Sequence, residues 1–335
     1  MNYLKYINYI VFVWALEAAN LDQENTKKTP EFDFAVGGQA VVEGIMMRSP
    51  NNLTIAVRKP KGNIIVKKKP FKTFVQRFKF LNIPILRGVI NLFEMMIVGT
   101  QAINYSAAES VEDEPAEDIK RSIGMKIFEA ILFTISFLVA IALSITLFKY
   151  TPLWITTFLE SRVPFIKEHW MLFNLIDGII KTSIFVGYIY ILTLAKSFRR
   201  IFEYHGAEHK SIFTYEKKLP LTPENATKQT RFHPRCGTSF VLIVFIISIL
   251  VYTVVPKQDS LTMNLLVRLA FLPLIAGISY EILKFSAKHN KNIFMRAFIA
   301  PGLWFQRLTT KEPDSKQLEV GLKSLSDILE LEKTT

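Results

Sequence analysis

The chain has few residues that cross-link or bind metals: one cysteine, Cys236, and five histidines in 335 residues. A single cysteine excludes an intramolecular disulfide, so the fold does not depend on an oxidising compartment. Acidic residues are also scarce, since 29 Asp and Glu face 41 Lys and Arg, and the formal net charge is +12. In a soluble protein this excess would suggest nucleic acid, whereas in a membrane protein it first concerns orientation.

Hydrophobic residues, by contrast, make up 50% of the chain, 27 of them Phe, and the mean hydropathy is +0.24. That hydropathy is above what a soluble protein of this length usually needs. Four apolar runs are long enough to cross a bilayer as helices; they are 127–148, 171–195, 239–255 and 264–285. We therefore expect a mainly α membrane protein with about four transmembrane helices, interfacial helices and a small cytoplasmic antiparallel β region.

The distribution of Lys and Arg predicts the orientation of these runs. Basic residues are frequent in 1–126, in the 196–238 loop and in the tail from 284, and rare in 149–170 and 256–263. Because cytoplasmic loops carry the excess of Lys and Arg, both termini and the 196–238 loop are predicted to be cytoplasmic. The predicted localisation is the bacterial inner membrane, as a multi-pass protein.

The predicted domains are an N-terminal extension (1–35), a cytoplasmic β region with an amphipathic helix and an acidic linker (36–122), a four-helix transmembrane domain (123–285) and a cytoplasmic or interfacial tail (286–335). The extension is either a weak signal peptide or an interfacial segment. Residues 84–106 are interpreted as an interfacial or re-entrant helix. If they spanned the bilayer, the basic β region would lie outside the cell.

The β region shows the pattern of a hairpin, because the β-branched runs 53–58 and 63–67 flank a Lys-Pro-Lys-Gly turn. Its second half is strongly basic. We expect this surface to bind the anionic headgroups of membrane lipid rather than nucleic acid. The basic residues are Arg58, Lys59, Lys61, Lys67, Lys68, Lys69, Lys72, Arg77 and Lys79.

The tail is predicted to contain two elements. Residues 292–308 are apolar and aromatic with a Pro-Gly break, which suits an interfacial hairpin. After them, leucines recur at helical spacing, and Asp314 with Gln317 has the capping-box pattern. This amphipathic helix is expected to dock on the sheet or on another subunit.

The main candidate site lies in the 196–238 loop. His205 and His209 are four residues apart, so on a helix both imidazoles project from one face. With Glu208 they form His-x-x-Glu-His, the inverzincin order, in which two imidazoles hold Zn²⁺ and the glutamate is the general base. Further candidate ligands are Glu203, His233, Cys236 and Glu281.

Three interpretations remain open. The site could hold a catalytic zinc or other divalent ion, with Glu208 as the catalytic residue. If His205, His209, His233 and Cys236 all bind, a closed structural site results, with no position for water. The third alternative is that no metal binds and the histidines form a polar interface. Gly206 weakens the helix and could mark a turn, and Cys236 is better explained by packing than as a nucleophile.

Ionisable residues inside the apolar runs are a second group of candidates, because they are costly in a membrane. Asp177 and Lys181 have the spacing for an ion pair on one helix. We expect a structural role for these two residues and for Arg268, with Asp177 and Arg268 near the outer interface.

Five motifs, occurring in order, resemble the YqhQ-like family of bacterial membrane proteins. They are GGQAVVEGIMMR (37–48), EYHGAEHK (203–210), RFHPRCGTSF (231–240), SYE (279–281) and PGLWFQRLTT (301–310). The resemblance covers about 36–332 and implies an inner-membrane location. The family is sometimes labelled a predicted metal-dependent enzyme, and this label implies a metal site formed by the same histidines. The resemblance implies no particular reaction.

Two functions follow as expectations. The first is a metal-dependent hydrolase at the cytoplasmic face. The second is a non-enzymatic scaffold or channel-like homo-oligomer, with a structural metal or none.

Overall fold

A computed structural model of the chain describes residues 36–111, 123–288 and 293–334. The N-terminal extension and most of the acidic linker therefore lie outside the described residues. The strands are β1 (Gly37–Val41), β2 (Gly44–Arg48), β3 (Asn52–Arg58) and β4 (Ile64–Pro70). The helices are α1 (Phe74–Arg77), α2 (Leu86–Glu109), α3 (Ile123–Ile145), α4 (Thr151–Arg162), α5 (Pro164–Glu168), α6 (Trp170–Leu194), α7 (Lys196–Glu216), α8 (Pro223–Thr227), α9 (Gly237–Val254), α10 (Leu261–Ala270), α11 (Leu272–Lys288), α12 (Ile293–Thr309) and α13 (Ser315–Thr334). A 3-10 turn covers Lys79–Leu81, and a π-helical turn, Thr146–Tyr150, joins α3 to α4.

The four strands form one antiparallel sheet in the order β1-β2-β3-β4. The predicted mainly α architecture with a small antiparallel sheet is thus confirmed, including the β3–β4 hairpin. In that hairpin the Lys59 N–H donates to the Asn63 carbonyl at 2.9 Å, and Gly62 supplies a φ of +95°.

Helices cover both faces of the sheet. Successive side chains of a strand point to opposite faces, and apolar side chains of β2 point to both. From β2, Ile45 and Met47 pack with α7 and α13, whereas Met46 packs on the opposite face with Ala102 of α2. The sheet core is therefore continuous with α7, the helix that carries the candidate site.

Helix α13 closes one face of the sheet. The Gln317 N–H donates to Asp314 Oδ1 at 2.7 Å, and the Asp314 N–H donates to Gln317 Oε1 at 2.9 Å, so the predicted capping box is present. Leu318 and Leu325 are fully buried against the sheet and α7. Of the two predicted docking surfaces, the sheet is the one that the helix contacts.

By length and composition, three helical stretches could cross a membrane: Thr134–Arg162, Trp170–Leu194 and Gly237–Val254. The first lies in α3, which begins at Ile123, and it continues beyond the predicted end at 148 through the π-helical turn into α4. The predicted fourth run is a pair of helices, Leu261–Ala270 and Leu272–Ser286, bent by 41°, and it adds a fourth candidate if the pair is one span.

The Pro-Gly break in the tail does not form the predicted hairpin, because α12 continues through Pro301. Gly302 lies against Ser239 of α9, where an added Cβ would come within 2.7 Å of the serine. Close packing of α12 on α9 thus offsets the hydrogen bond that the proline removes.

Residues 84–106 fall mostly within α2, which packs on the sheet and on α11. Glu94, considered as a functional carboxylate, is buried, and it accepts hydrogen bonds from the Phe74 N–H at the start of α1. Its carboxylate therefore satisfies a free helix-terminal donor.

Candidate functional site

The candidate site is built on α7, which is continuous through Gly206. The glycine does not mark a turn. An added Cβ at Gly206 would overlap the carbonyl oxygen of Lys311, and the Lys311 N–H donates to the Phe202 carbonyl at 2.8 Å. A glycine is needed here because the segment after α12 runs directly against the helix.

Backbone carbonyls orient both imidazoles on α7. His205 Nδ1 lies 2.8 Å from the Thr309 carbonyl oxygen, and His209 Nδ1 forms a short hydrogen bond with the Arg231 carbonyl. A carbonyl only accepts, so each Nδ1 carries the proton and each Nε2 has a free lone pair. This is the tautomer in which metal-binding histidines are usually fixed.

Cys236 completes a group of three potential ligands. It is the N-cap of α9, and its sulfur accepts from the Thr238 N–H at 3.4 Å. His205 Nε2 is 3.1 Å from the sulfur, and the ligand atoms of His205, His209 and Cys236 all lie within 4.8 Å of one another. Residues separated by a whole loop are thus brought together where α7 meets the start of α9.

The group fits a divalent metal ion. The Nε2 atom of His209 is buried and has no hydrogen-bond partner among the residues that the structure describes. An orphaned imidazole nitrogen is costly unless something binds it. Two imidazoles and a thiol are a donor set that suits zinc.

Glu208 lies on the same turn of α7 but faces β1. It accepts a hydrogen bond from the Gly38 N–H, and an added Cβ at Gly38 would come within 2.9 Å of its side chain. Burial raises the pKa of the Glu208 carboxyl to about 8, against a smaller lowering effect of His205. The absence of a side chain at Gly38 in β1 makes room for this carboxyl.

The surroundings also shift the pKa values of the two buried ligands, His209 and Cys236. Burial lowers the pKa of the His209 imidazole. Burial raises the pKa of the Cys236 thiol, but the nearby His209 and hydrogen bonds from Thr238 together lower it by more, so that the pKa lies below its usual value. The effect of His209 on Cys236 requires a charged imidazole; a bound cation would take over that role and leave the neutral imidazole and the thiolate that bind metals.

His233 lies beside the group with its own hydrogen bonds. Its ring centroid is 5.6 Å from that of His209, but Nε2 is 3.3 Å from Glu216 and Nδ1 accepts from the Arg235 N–H at 3.3 Å. Burial lowers the pKa of its imidazole to about 4. Its backbone is held by Gln306, which accepts from the His233 N–H and donates to its carbonyl, each at 2.8 Å.

The structure places the other two candidate ligands elsewhere. Glu281 forms a bidentate ion pair with Arg87, with Nε 2.6 Å from Oε1. Glu203 accepts from Gln317 at 3.0 Å and pairs with Arg199 at 3.4 Å. Neither residue belongs to the group of His205, His209 and Cys236.

Sequence reasoning missed the residues that orient the imidazoles. Thr309 and Arg231 act through backbone carbonyls, so their side chains give no signal. Thr309 does lie at the end of one of the five motifs, PGLWFQRLTT, and this position is the signal that could have pointed to it.

Comparison with known proteins shows the family of the chain. The profile of a family described as "Protein of unknown function (DUF1385)" matches residues 83–331. The chain is 36% identical over 305 residues to "Uncharacterized protein YqhQ" of Bacillus subtilis (strain 168), covering 89% of this chain and 93% of that protein. No solved structure shows significant similarity. The chain therefore belongs to the DUF1385, or YqhQ-like, family of uncharacterised proteins.

Proposed function

We propose that the protein is a metal-dependent hydrolase of the bacterial cell membrane, with its site at the cytoplasmic face. The observation that carries the proposal is the convergence of His205, His209 and Cys236, with both Nδ1 atoms engaged and the Nε2 of His209 left free. Three protein ligands leave one position open, which is typical of catalytic rather than structural zinc sites.

In this proposal Glu208 is the catalytic residue. A divalent ion supplies polarisation of the attacking water or of the substrate carbonyl or phosphoryl group. Beside a bound cation the raised pKa of the Glu208 carboxyl would fall, and the resulting carboxylate would take a proton from the attacking water and deliver it to the leaving group. Gly38 holds the carboxyl by its N–H, and His209 and Cys236 are buried enough to exclude bulk water from the ligand atoms.

Metal content tests the ligand set. The full-length protein, purified in detergent after growth with zinc, is expected to carry about one metal ion per chain. His209→Gln should lose it, whereas His233→Gln should keep it, because both ring nitrogens of His233 have other partners. Glu208→Gln should also keep the ion but lose hydrolytic activity on a panel of ester, phosphoester and peptide substrates. A metal-free wild type, or retention in His209→Gln, would refute the metal site.

The burial of the ligands favours a second candidate function, a scaffold or channel-like homo-oligomer with a structural metal. Cys236 and His209 are almost inaccessible to solvent. An ion between them would join the sheet region, through α7, to the start of α9. In that case a chelator should lower the thermal stability of the protein and dissociate oligomers, and Glu208→Gln should have no functional effect.

The proposal includes membrane insertion with both termini in the cytoplasm. It is supported by the apolar helices, which number four if the bent pair is one span and then return the chain to the side on which it started. It is also supported by the exposure of large hydrophobic side chains along α3, α6 and α9, including Phe137, Ile191 and Leu250. Reporter fusions test this orientation. A reporter that is active only outside the cytoplasm should be active when fused at Gln258, and a reporter that is active only in the cytoplasm should be active when fused at Thr335. The reverse pattern would overturn the orientation.

A further inference from the structure

Three cationic side chains from separate parts of the apolar helices converge on one aromatic ring. Lys149 Nζ, Lys181 Nζ and Arg268 Cζ lie 5.8, 5.3 and 5.1 Å from the centroid of the Tyr252 ring. Lys149 is in the π-helical turn, Lys181 in α6 and Arg268 in α10. Lys181, Arg268 and Tyr252 are buried, and Lys149 is half-buried.

Fewer acidic than basic side chains lie around the Tyr252 ring. Arg268 uses its guanidinium on Asp177 and on Asn174 Oδ1, the latter at 2.7 Å. Among the described residues, Asp177 is the carboxylate that contacts these cations. The cluster thus has three basic side chains and one carboxylate.

Lys181 is the residue left with free donors. Its Nζ is 3.6 Å from Asp177 Oδ2, beyond hydrogen-bond distance, and has no hydrogen-bond partner in the described part of the chain. The pairing predicted from the sequence is therefore loose, and Asp177, Lys181 and Arg268 are all buried within the protein. An uncompensated charge at such a position is costly, so such clusters generally bind a counter-ion or lose a proton.

We propose that Lys181 and Lys149, with Arg268 behind them, form a binding site for a small inorganic anion inside the helical domain. Asp177 and Asn174 already occupy the planar fork of Arg268, so the donors that remain are two compact ammonium groups. Ammonium groups act as point charges, unlike the guanidinium fork, which matches planar oxyanions. The site therefore suits a small spherical anion of the halide class. The π-helical turn supports this, since such turns are frequent at functional sites.

Chloride is the probe for this site. The full-length protein in detergent, transferred into sodium gluconate, is expected to bind radiolabelled chloride saturably at one site per chain. Lys181→Met keeps an unbranched side chain only one atom shorter and removes its charge, and it should weaken chloride binding about thirtyfold or more. Lys149→Met should weaken it in the same direction, and provides a second test if Lys181→Met does not fold.

The controls separate anion binding from a purely structural charge network. Lys167→Met removes an exposed charge outside the cluster and should leave chloride affinity unchanged. Asp177→Asn removes the competing carboxylate and should tighten chloride binding, whereas a structural network predicts only lower stability. Absence of saturable binding to the wild type, or wild-type affinity for chloride in both lysine variants, would overturn the proposal.

Discussion

Gly206 lies against the carbonyl oxygen of Lys311 so closely that a β-carbon would overlap it. Two residues before Lys311, the Thr309 carbonyl fixes the ring of His205. The glycine is thus part of the support for the candidate metal site. We expect Gly206→Ala to displace this segment, to lower the unfolding free energy by about 1–3 kcal/mol and to reduce metal content, measured by thermal unfolding and elemental analysis.

The matched control is Gly187→Ala in α6, where an added Cβ meets nothing within 4 Å. Alanine favours a helix over glycine by about 1 kcal/mol, so this variant should be neutral or more stable and should keep its metal. If both substitutions had the same effect, the close contact at Gly206 would not be the cause.

The predictable part of the structure rests on local patterns. The β3–β4 turn, the Asp314–Gln317 capping box and the four-residue spacing of His205 and His209 depend on a few neighbouring residues. Hydrogen-bond geometry and helical period determine such features, so the sequence alone was sufficient for them.

The remaining features depend on contacts distant in sequence. The helix across Pro301 persists because Gly302 packs against Ser239, and Glu281 forms an ion pair with Arg87 instead of joining the histidines. The spacing of neighbouring residues does not indicate Ser239 or Arg87 as these partners. The orientation of His209 likewise comes from a backbone carbonyl, which any residue type would provide.

The coordination number distinguishes the enzyme from the scaffold. After exchange of the bound metal for Co²⁺, a site with one open position should change its visible absorption when azide is added, whereas a closed four-ligand site should not. Because His233 is engaged with Glu216, we expect the azide response in both the wild type and His233→Gln. A thiolate-to-cobalt band that disappears in Cys236→Ser would identify the sulfur as a ligand. A spectrum indifferent to azide would favour the structural metal.

The Arg87–Glu281 pair is expected to stabilise the packing of α2 on α11 without affecting the metal site. Each side chain is largely shielded from water, and the pair is bidentate. Glu281→Gln should lower the unfolding free energy by about 1–2 kcal/mol, while metal content stays at the wild-type level. Loss of the metal in this variant would instead support Glu281 as a ligand.

Glu330→Gln is the control for the loss of a carboxylate. Its side chain is 74% exposed and lies 3.9 Å from Lys68, so its removal should change the unfolding free energy by less than about 0.5 kcal/mol. A similar loss in both variants would mean that net charge, rather than the α2–α11 contact, determines the effect.

The segment between the sheet and α2 is expected to insert into the membrane surface. Phe80 is 72% exposed and Phe78 48%, and the basic residues Arg77 and Lys79 stand beside them. Exposed aromatic rings next to Lys and Arg are typical of segments that bind anionic lipid, each basic residue adding about 1 kcal/mol near the surface.

A nitroxide attached to Phe80→Cys, in nanodiscs containing anionic lipid, should be more accessible to oxygen than to a water-soluble nickel complex. The same label on Lys228→Cys, in the exposed loop after α8, should show the opposite ratio. Because both variants contain the buried Cys236, any background labelling is common to them, and equal ratios would exclude insertion of this segment.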